Sequence, residues 1–183
     1  MSSVEIKNPD QEVPEHLGGH LNLTNLDEGI IKGLKKSYNI KSILDIGCGT
    51  GGMENLCKKY QINWTGIDGD PTVANNENIK IHDFTKGPLS LDQSFDVVWS
   101  TEFLEHVEQK YMPNYMPLFQ LGKIIVVTAA KPGTPGHHHV NCQPLDYWKN
   151  EFKKYDLSHE EDLTFWLKSI STMRKDFYKK TGM

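Results

Sequence analysis

Five short apolar runs, separated by segments of helical period, dominate the 183-residue chain. They lie at about Lys41 to Ile46, Asn63 to Asp68, Asn78 to His82, Phe95 to Ser100 and Lys123 to Thr128. The last, Lys123-Ile124-Ile125-Val126-Val127-Thr128, has the unbroken apolar centre of a strand covered on both faces. Between the runs the apolar spacing becomes helical. Leu26, Ile30, Ile31 and Leu34 predict a helix over Leu26 to Ser37, capped by Thr24 or Asn25. A further helix is predicted from Gly52 to Tyr60. Leu145, Trp148 and Phe152 predict one from Pro144 to Tyr155. Phe165, Leu167, Ile170, Met173 and Phe177 predict one long helix from Leu163 to Lys180, with Lys168, Arg174 and Lys175 on its solvated face. The apolar stretch Tyr111 to Phe119, broken by Pro113 and Pro117, reads as packing between a helix and a sheet. Strands alternating with helices imply an α/β fold with a mostly parallel sheet.

Glycines cluster where the first strand should end: Asp45-Ile46-Gly47-Cys48-Gly49-Thr50-Gly51-Gly52. Glycine admits positive φ and lets backbone approach a ligand closely. The free N–H groups of a following helix suit a nucleotide-like ligand. Gly47-x-Gly49-x-x-Gly52 fits the dinucleotide fingerprint, with Asp68 about 20 residues further on. A tight turn without a ligand is the plainer reading of the glycines alone. Asp45 argues against a dinucleotide, because a carboxylate there repels a pyrophosphate. The same carboxylate attracts an ammonium or a sulfonium.

Asp45-Ile46-Gly47-Cys48-Gly49-Thr50-Gly51 resembles the first motif of class I S-adenosylmethionine-dependent methyltransferases. Later segments keep that family's order over roughly residues 17 to 155. The resemblance implies a Rossmann-like three-layer sandwich. It implies S-adenosyl-L-methionine as cofactor and S-adenosyl-L-homocysteine as product. It also implies a single domain: residues 1–37 as arm and lid helix, 38–155 as cofactor-binding core, 156–183 as C-terminal edge.

The family pattern marks Asp45, Gly47, Cys48, Gly49 and Gly51 as cofactor-binding, with Gly69 and Ser100 at later strand ends. Asp68 closes the second strand and would accept both ribose hydroxyls. Its alternative is a helix cap, a role that Asp70 fills better. Asp83 would take the adenine amino group, with Phe84 packed on the ring; a surface turn is the alternative. Thr101-Glu102-Phe103-Leu104-Glu105-His106-Val107 resembles the segment after the fourth strand in small-molecule methyltransferases. Glu102 would then lie near the methionine ammonium or the acceptor, with His106 one helical turn on. Glu105 points elsewhere or holds the helix. In such enzymes the segment before the first strand often covers the cofactor, which makes His20 and Asn22 lid candidates beside a plain turn role.

Ala129 to Gln143 encloses Pro132-Gly133-Thr134-Pro135-Gly136-His137-His138-His139. This run is internal and follows a strand, at the sheet edge where ligands sit. A neutral imidazole is a competent general base near neutral pH. Adjacent histidines point apart in extended chain, and no carboxylate-rich companion accompanies them. A base or hydrogen-bonding role for His138 or His139, with His106 and Glu102 behind them, is therefore favoured over a metal site.

A net charge of −4 and a pI near 6.0 provide no basic field and disfavour nucleic acid as partner. Cys48, Cys57 and Cys142 lack metal-site spacing and read as reduced thiols of a cytoplasmic protein. No apolar run approaches a membrane span, and Met1 to Lys7 lacks a hydrophobic signal region. The expected reaction is in-line methyl transfer to a small molecule or sugar, at oxygen rather than nitrogen. The Asn/Asp-Pro-Pro-Tyr/Phe pattern of amino methyltransferases is absent after Phe95-Asp96, where Ser100-Thr101-Glu102-Phe103 stands. A lyase or aminopropyl transferase using the same cofactor, and a non-catalytic cofactor-binding subunit, are the alternatives. The family fold has seven strands, whereas five are evident here and a weak sixth falls near Leu157 to Leu163. A reduced or truncated C-terminal edge is the expectation.

Overall fold

Five strands form one parallel sheet: β1 Ser42–Ile46, β2 Asn63–Asp68, β3 Ile79–Ile81, β4 Phe95–Ser100 and β5 Gly122–Val127. The computed structural model describes residues 13–17, 19 and 23–183. The strand order is β3-β2-β1-β4-β5. The winding reverses between β1 and β4, and such a switch point opens a crevice at the carboxyl ends of the strands. The register sets Asp45 beside both Gly66 and Trp99, and Ser100 beside Val127.

Among the described residues, six α-helices accompany the sheet: α1 Glu28–Tyr38, α2 Met53–Lys59, α3 Met112–Phe119, α4 Leu145–Lys153, α5 Glu161–Ile170 and α6 Phe177–Thr181. Alternating strand residues feed two cores. Ile43, Val97 and Val126 pack with Ile30 and Leu34 of α1, Met53 of α2 and Leu167 of α5. Leu44, Val98 and Val127 pack with Tyr115 and Phe119 of α3 and Trp148 of α4. The sheet is covered on both faces, which is why β1 is buried from Ile43 to Ile46 without polar alternation. The architecture is the Rossmann-like three-layer sandwich expected from the sequence.

Three expectations are corrected. The cap of α1 is Asp27, not Thr24 or Asn25: its Oδ1 accepts the Ile30 amide at 3.0 Å. The long helix over Leu163 to Lys180 is broken. α5 ends at Ile170, and Lys175 and Asp176 take φ of 61° and 55° before α6. The segment near Leu157 to Leu163 forms no strand, because α5 starts at Glu161. Beyond α6, Met183 and Val127 exchange backbone hydrogen bonds of 3.0 and 3.1 Å. Among the described residues, no helix is long and apolar enough to cross a membrane.

Candidate functional site

A cleft of about 570 Å³ opens at the carboxyl ends of β1, β2 and β4. Its size lies within the range usual for small-molecule sites. Leaving β1, the chain turns through Gly47 and Gly49 with φ of 75° and 54°. The Gly47 and Cys48 amides both donate to the Ile67 carbonyl of β2, at 2.9 and 3.1 Å. A Cβ on Gly47 would stand 2.6–2.8 Å from Phe103, so only glycine fits between loop and ring.

Asp68 secures this loop. Its Oδ2 accepts the Gly49 amide at 2.7 Å, and its Oδ1 accepts the Asp70 amide at 2.9 Å. Asp70 takes the capping role expected of it, with the Thr72 amide at 2.8 Å. Asp45 is 3% exposed and receives the Trp64 indole N–H at 3.2 Å. Burial pushes its pKa up to about 7; the Trp64 hydrogen bond works against that rise, and the nearby Asp68 charge adds to it. A buried carboxylate with so little compensation, lining a cleft, matches a cationic ligand group.

Gly69 also lines the cleft, where a Cβ would lie 2.5 Å from Leu17. Leu17 belongs to a short N-terminal segment that crosses the opening. There His16 Nε2 approaches Asp83 Oδ2 at 3.1 Å, and the Glu15 carbonyl faces His137 Nε2 at 2.8 Å. Asp83 Oδ1 accepts the Thr85 amide and hydroxyl at 2.8 and 2.7 Å. Burial alone would raise the Asp83 pKa, but Thr85 and then His16 outweigh it and hold it low. Asp83 therefore both caps a turn and lines the cleft. Phe84 lies beside it, nearly buried, with its ring edge-to-face against His82, Phe103 and Tyr115.

Other predicted positions lie elsewhere. Ser100 is fully buried and gives its hydroxyl to the Ile46 carbonyl at 2.9 Å, tying β4 to β1 rather than facing the cleft. Gly51 is absent from the lining; a Cβ there would press on Ile79 and Trp64. Cys48 lines the cleft, but its side chain is buried beside Gly66 and burial raises its thiol pKa far above the ordinary value. His20 and Asn22 lie outside the described residues. Sequence reasoning missed His16 and Leu17, because nothing in a polar arm announces a contact with Asp83 or Gly69. It also missed Lys175, which lines the cleft instead of a solvated helix face.

Glu102, His138 and Lys175 also line the cleft, with φ of 55°, 45° and 61°. Left-handed backbone at bulky residues is costly and gathers at functional sites. Glu102 is held by Thr128, whose Oγ1 accepts its amide at 2.9 Å and donates to its Oε1 at 2.8 Å. Burial raises the Glu102 pKa, and Thr128 partly opposes the rise. His106 also lines the cleft; burial, reinforced by His139, lowers its pKa to about 4, so its imidazole is neutral.

The histidine run is not extended, so its side chains do not alternate. His137 turns to Glu15, His138 faces the cleft, and His139 lies edge-to-face on His106 with ring centroids 4.9 Å apart. No carboxylate-rich motif accompanies the run in sequence, but the fold brings one carboxylate, Glu105, close to it. Its carboxyl group is fully buried near His106 and His139.

A family model described as a methyltransferase domain matches residues 22–168. The chain belongs to the class I S-adenosylmethionine-dependent methyltransferases. The structure of this methyltransferase agrees in fold with others at low identity. The methyltransferase domain of bacterial CtHen1-CN superposes with a TM-score of 0.54 at 17% identity, covering 72% of this chain and 84% of that one. The Haemonchus contortus Phospholethanolamine N-methyltransferase 2, solved with phosphomonomethylethanolamine and S-adenosylhomocysteine, gives 0.51 at 18% identity, covering 77% and 40%. A methyltransferase from Archaeoglobus fulgidus gives 0.47 at 21% identity, covering 70% and 67%. No curated protein matches the sequence significantly.

Proposed function

We propose that this methyltransferase binds S-adenosylmethionine in the cleft and methylates the hydroxyl of a small molecule or sugar. The observation that carries the cofactor reading is Asp45, a buried and poorly compensated carboxylate beside the glycine turn. It suits a cationic sulfonium or ammonium and opposes a pyrophosphate. Asp68, held at the end of β2 by the Gly49 and Asp70 amides, accepts the ribose hydroxyls. Asp83 and Phe84 border the adenine region, and Leu17 and His16 cover it.

When bound, S-adenosylmethionine supplies a methyl group on a positively charged sulfur, already activated for displacement. The chain's own tasks are alignment, exclusion of water and proton removal. Glu102, locked by Thr128, orients the acceptor. His138 is the proton acceptor, since it alone of the three histidines in the run lines the cleft. A hydroxyl needs such a group, which favours oxygen over an already nucleophilic amine. The modest cleft and the net charge of −4 support a small acceptor rather than nucleic acid.

A screen of acceptor classes that follows S-adenosylhomocysteine release tests the reading. Release dependent on a hydroxylated acceptor supports it. Methylthioadenosine as product places the chain with lyases or aminopropyl transferases. Binding of NAD in preference to S-adenosylmethionine overturns the cofactor assignment.

A further inference from the structure

We propose that Glu105, His106 and His139 form a site for a divalent transition-metal ion. One donor atom from each lies within 4.8 Å of the donor atoms of the other two. The fold builds this convergence. The Val140 and Asn141 amides, directly after His139, both donate to the Glu105 carbonyl at 3.0 Å. The histidine loop is thereby pinned against the turn that follows β4.

The donors are prepared in three separate ways. Glu105 is fully buried; its Oε1 accepts the Ala130 amide at 3.1 Å, but its Oε2 has no hydrogen-bond partner among the described residues. His106 Nδ1 is likewise buried and without a partner among them. Buried polar atoms are rarely left so, and two in one cluster indicate a bound species that satisfies both. His139 Nδ1 faces the Thr134 carbonyl at 2.9 Å. A carbonyl only accepts, so Nδ1 carries the hydrogen and Nε2 keeps its lone pair. A backbone carbonyl holding the far nitrogen is the usual support of a metal-binding imidazole.

Ligands about 2.0–2.2 Å from one ion stand roughly 3–3.5 Å apart. Side-chain rotations that move the donors by about 1 Å therefore close the site. Two imidazoles with one carboxylate select zinc, cobalt or ferrous ions over magnesium or calcium, which prefer oxygen. His106 also lines the cleft, so the site borders it. Holding an acceptor oxygen there would depend on the methyl-transfer reading; the ion site itself does not.

The test uses protein stripped with a chelator and titrated with cobalt or zinc ions, without cofactor or acceptor. Cobalt absorption and calorimetry report uptake. One ion per chain is expected, with affinity lowered about 10–100-fold or more in Glu105→Gln and His139→Ala. His137→Ala should bind as the parent does, because His137 turns to Glu15. No uptake overturns the site and leaves a bridging water as the occupant. Equal weakening in His137→Ala, or none in Glu105→Gln, also overturns it and assigns uptake to the histidine run alone. Unfolding curves separate loss of the site from loss of the fold, and His139, on a half-exposed loop, is the variant least able to disturb the core. A negative result leaves the methyl-transfer reading standing, and failure of that reading leaves the ion titration intact.

Discussion

Asp27 accepts the Thr172 amide at 2.9 Å, across 145 positions of sequence. The same fully buried carboxylate caps α1 and accepts the hydroxyls of Ser171 and Thr172. It thus joins the start of the first helix to the break after α5. Asp27→Ala removes a helix cap and strands several donors in one step. A loss of about 2–4 kcal/mol is expected, since each charged hydrogen bond and the cap contribute roughly 1–3 kcal/mol. Urea unfolding measures it. A loss below about 1 kcal/mol would assign the anchoring of this segment to its apolar contacts instead.

That relationship also marks the limit of what the sequence disclosed. The strands were legible because continuous β-branched runs have few other solutions, and β2 and β4 begin and end as expected. The glycine loop and Asp68 were legible because their chemistry is local to strand ends. The choice of Asp27 over Thr24 and Asn25 was not, since it is made by partners more than 140 residues away. The break at Lys175 and Asp176 carries no glycine or proline, so apolar period ran through it unmarked. Glu105 was undervalued for a similar reason. Its neighbour His139 arrives from a loop after another strand, and linear spacing holds no trace of the approach.

Asp68→Ala should weaken S-adenosylmethionine binding by about 1.5–3 kcal/mol, the range for hydrogen bonds to a charged group. Part of that loss comes through the loop, because the Gly49 amide loses its acceptor. Calorimetric titration of the folded variant checks it. An unchanged dissociation constant would remove Asp68 from the ribose role.

With a cationic cofactor group beside it, Asp45 should make cofactor affinity depend on pH. Its pKa in the folded protein is raised to about 7, well above the ordinary carboxylate value. Between about pH 4 and 7 the folded protein keeps a proton that the unfolded chain releases. This residue's contribution to stability therefore falls as pH rises through that window. Binding of a cationic group runs the opposite way, because it favours the ionised carboxylate. Affinity should rise with pH, by at most about tenfold per unit, and level off above about pH 7. Calorimetry between about pH 5.5 and 8 follows the curve, and proton release on binding should be seen at its acid end. Asp45→Asn should flatten this dependence; the same slope in the variant would place the titrating group elsewhere.

The role proposed for His138 separates catalysis from binding. It stands on left-handed backbone, with φ of 45°, and lines the cleft. Its neighbour His137 is turned outward to the Glu15 carbonyl. The two imidazoles are adjacent in sequence, yet only that of His138 lines the cleft. If His138 takes the acceptor's proton, His138→Ala should lower turnover by a factor on the order of 10² to 10⁴. Cofactor affinity should barely change, because the base acts on the acceptor and not on the sulfonium. His137→Ala should leave turnover close to that of the parent. A His138 that serves only the loop gives a different pattern: the variant loses stability while each folded molecule keeps its rate. Turnover with a hydroxylated acceptor and the unfolding midpoint, measured on both variants, distinguish the two. Near-parental turnover in His138→Ala would move the base to another residue.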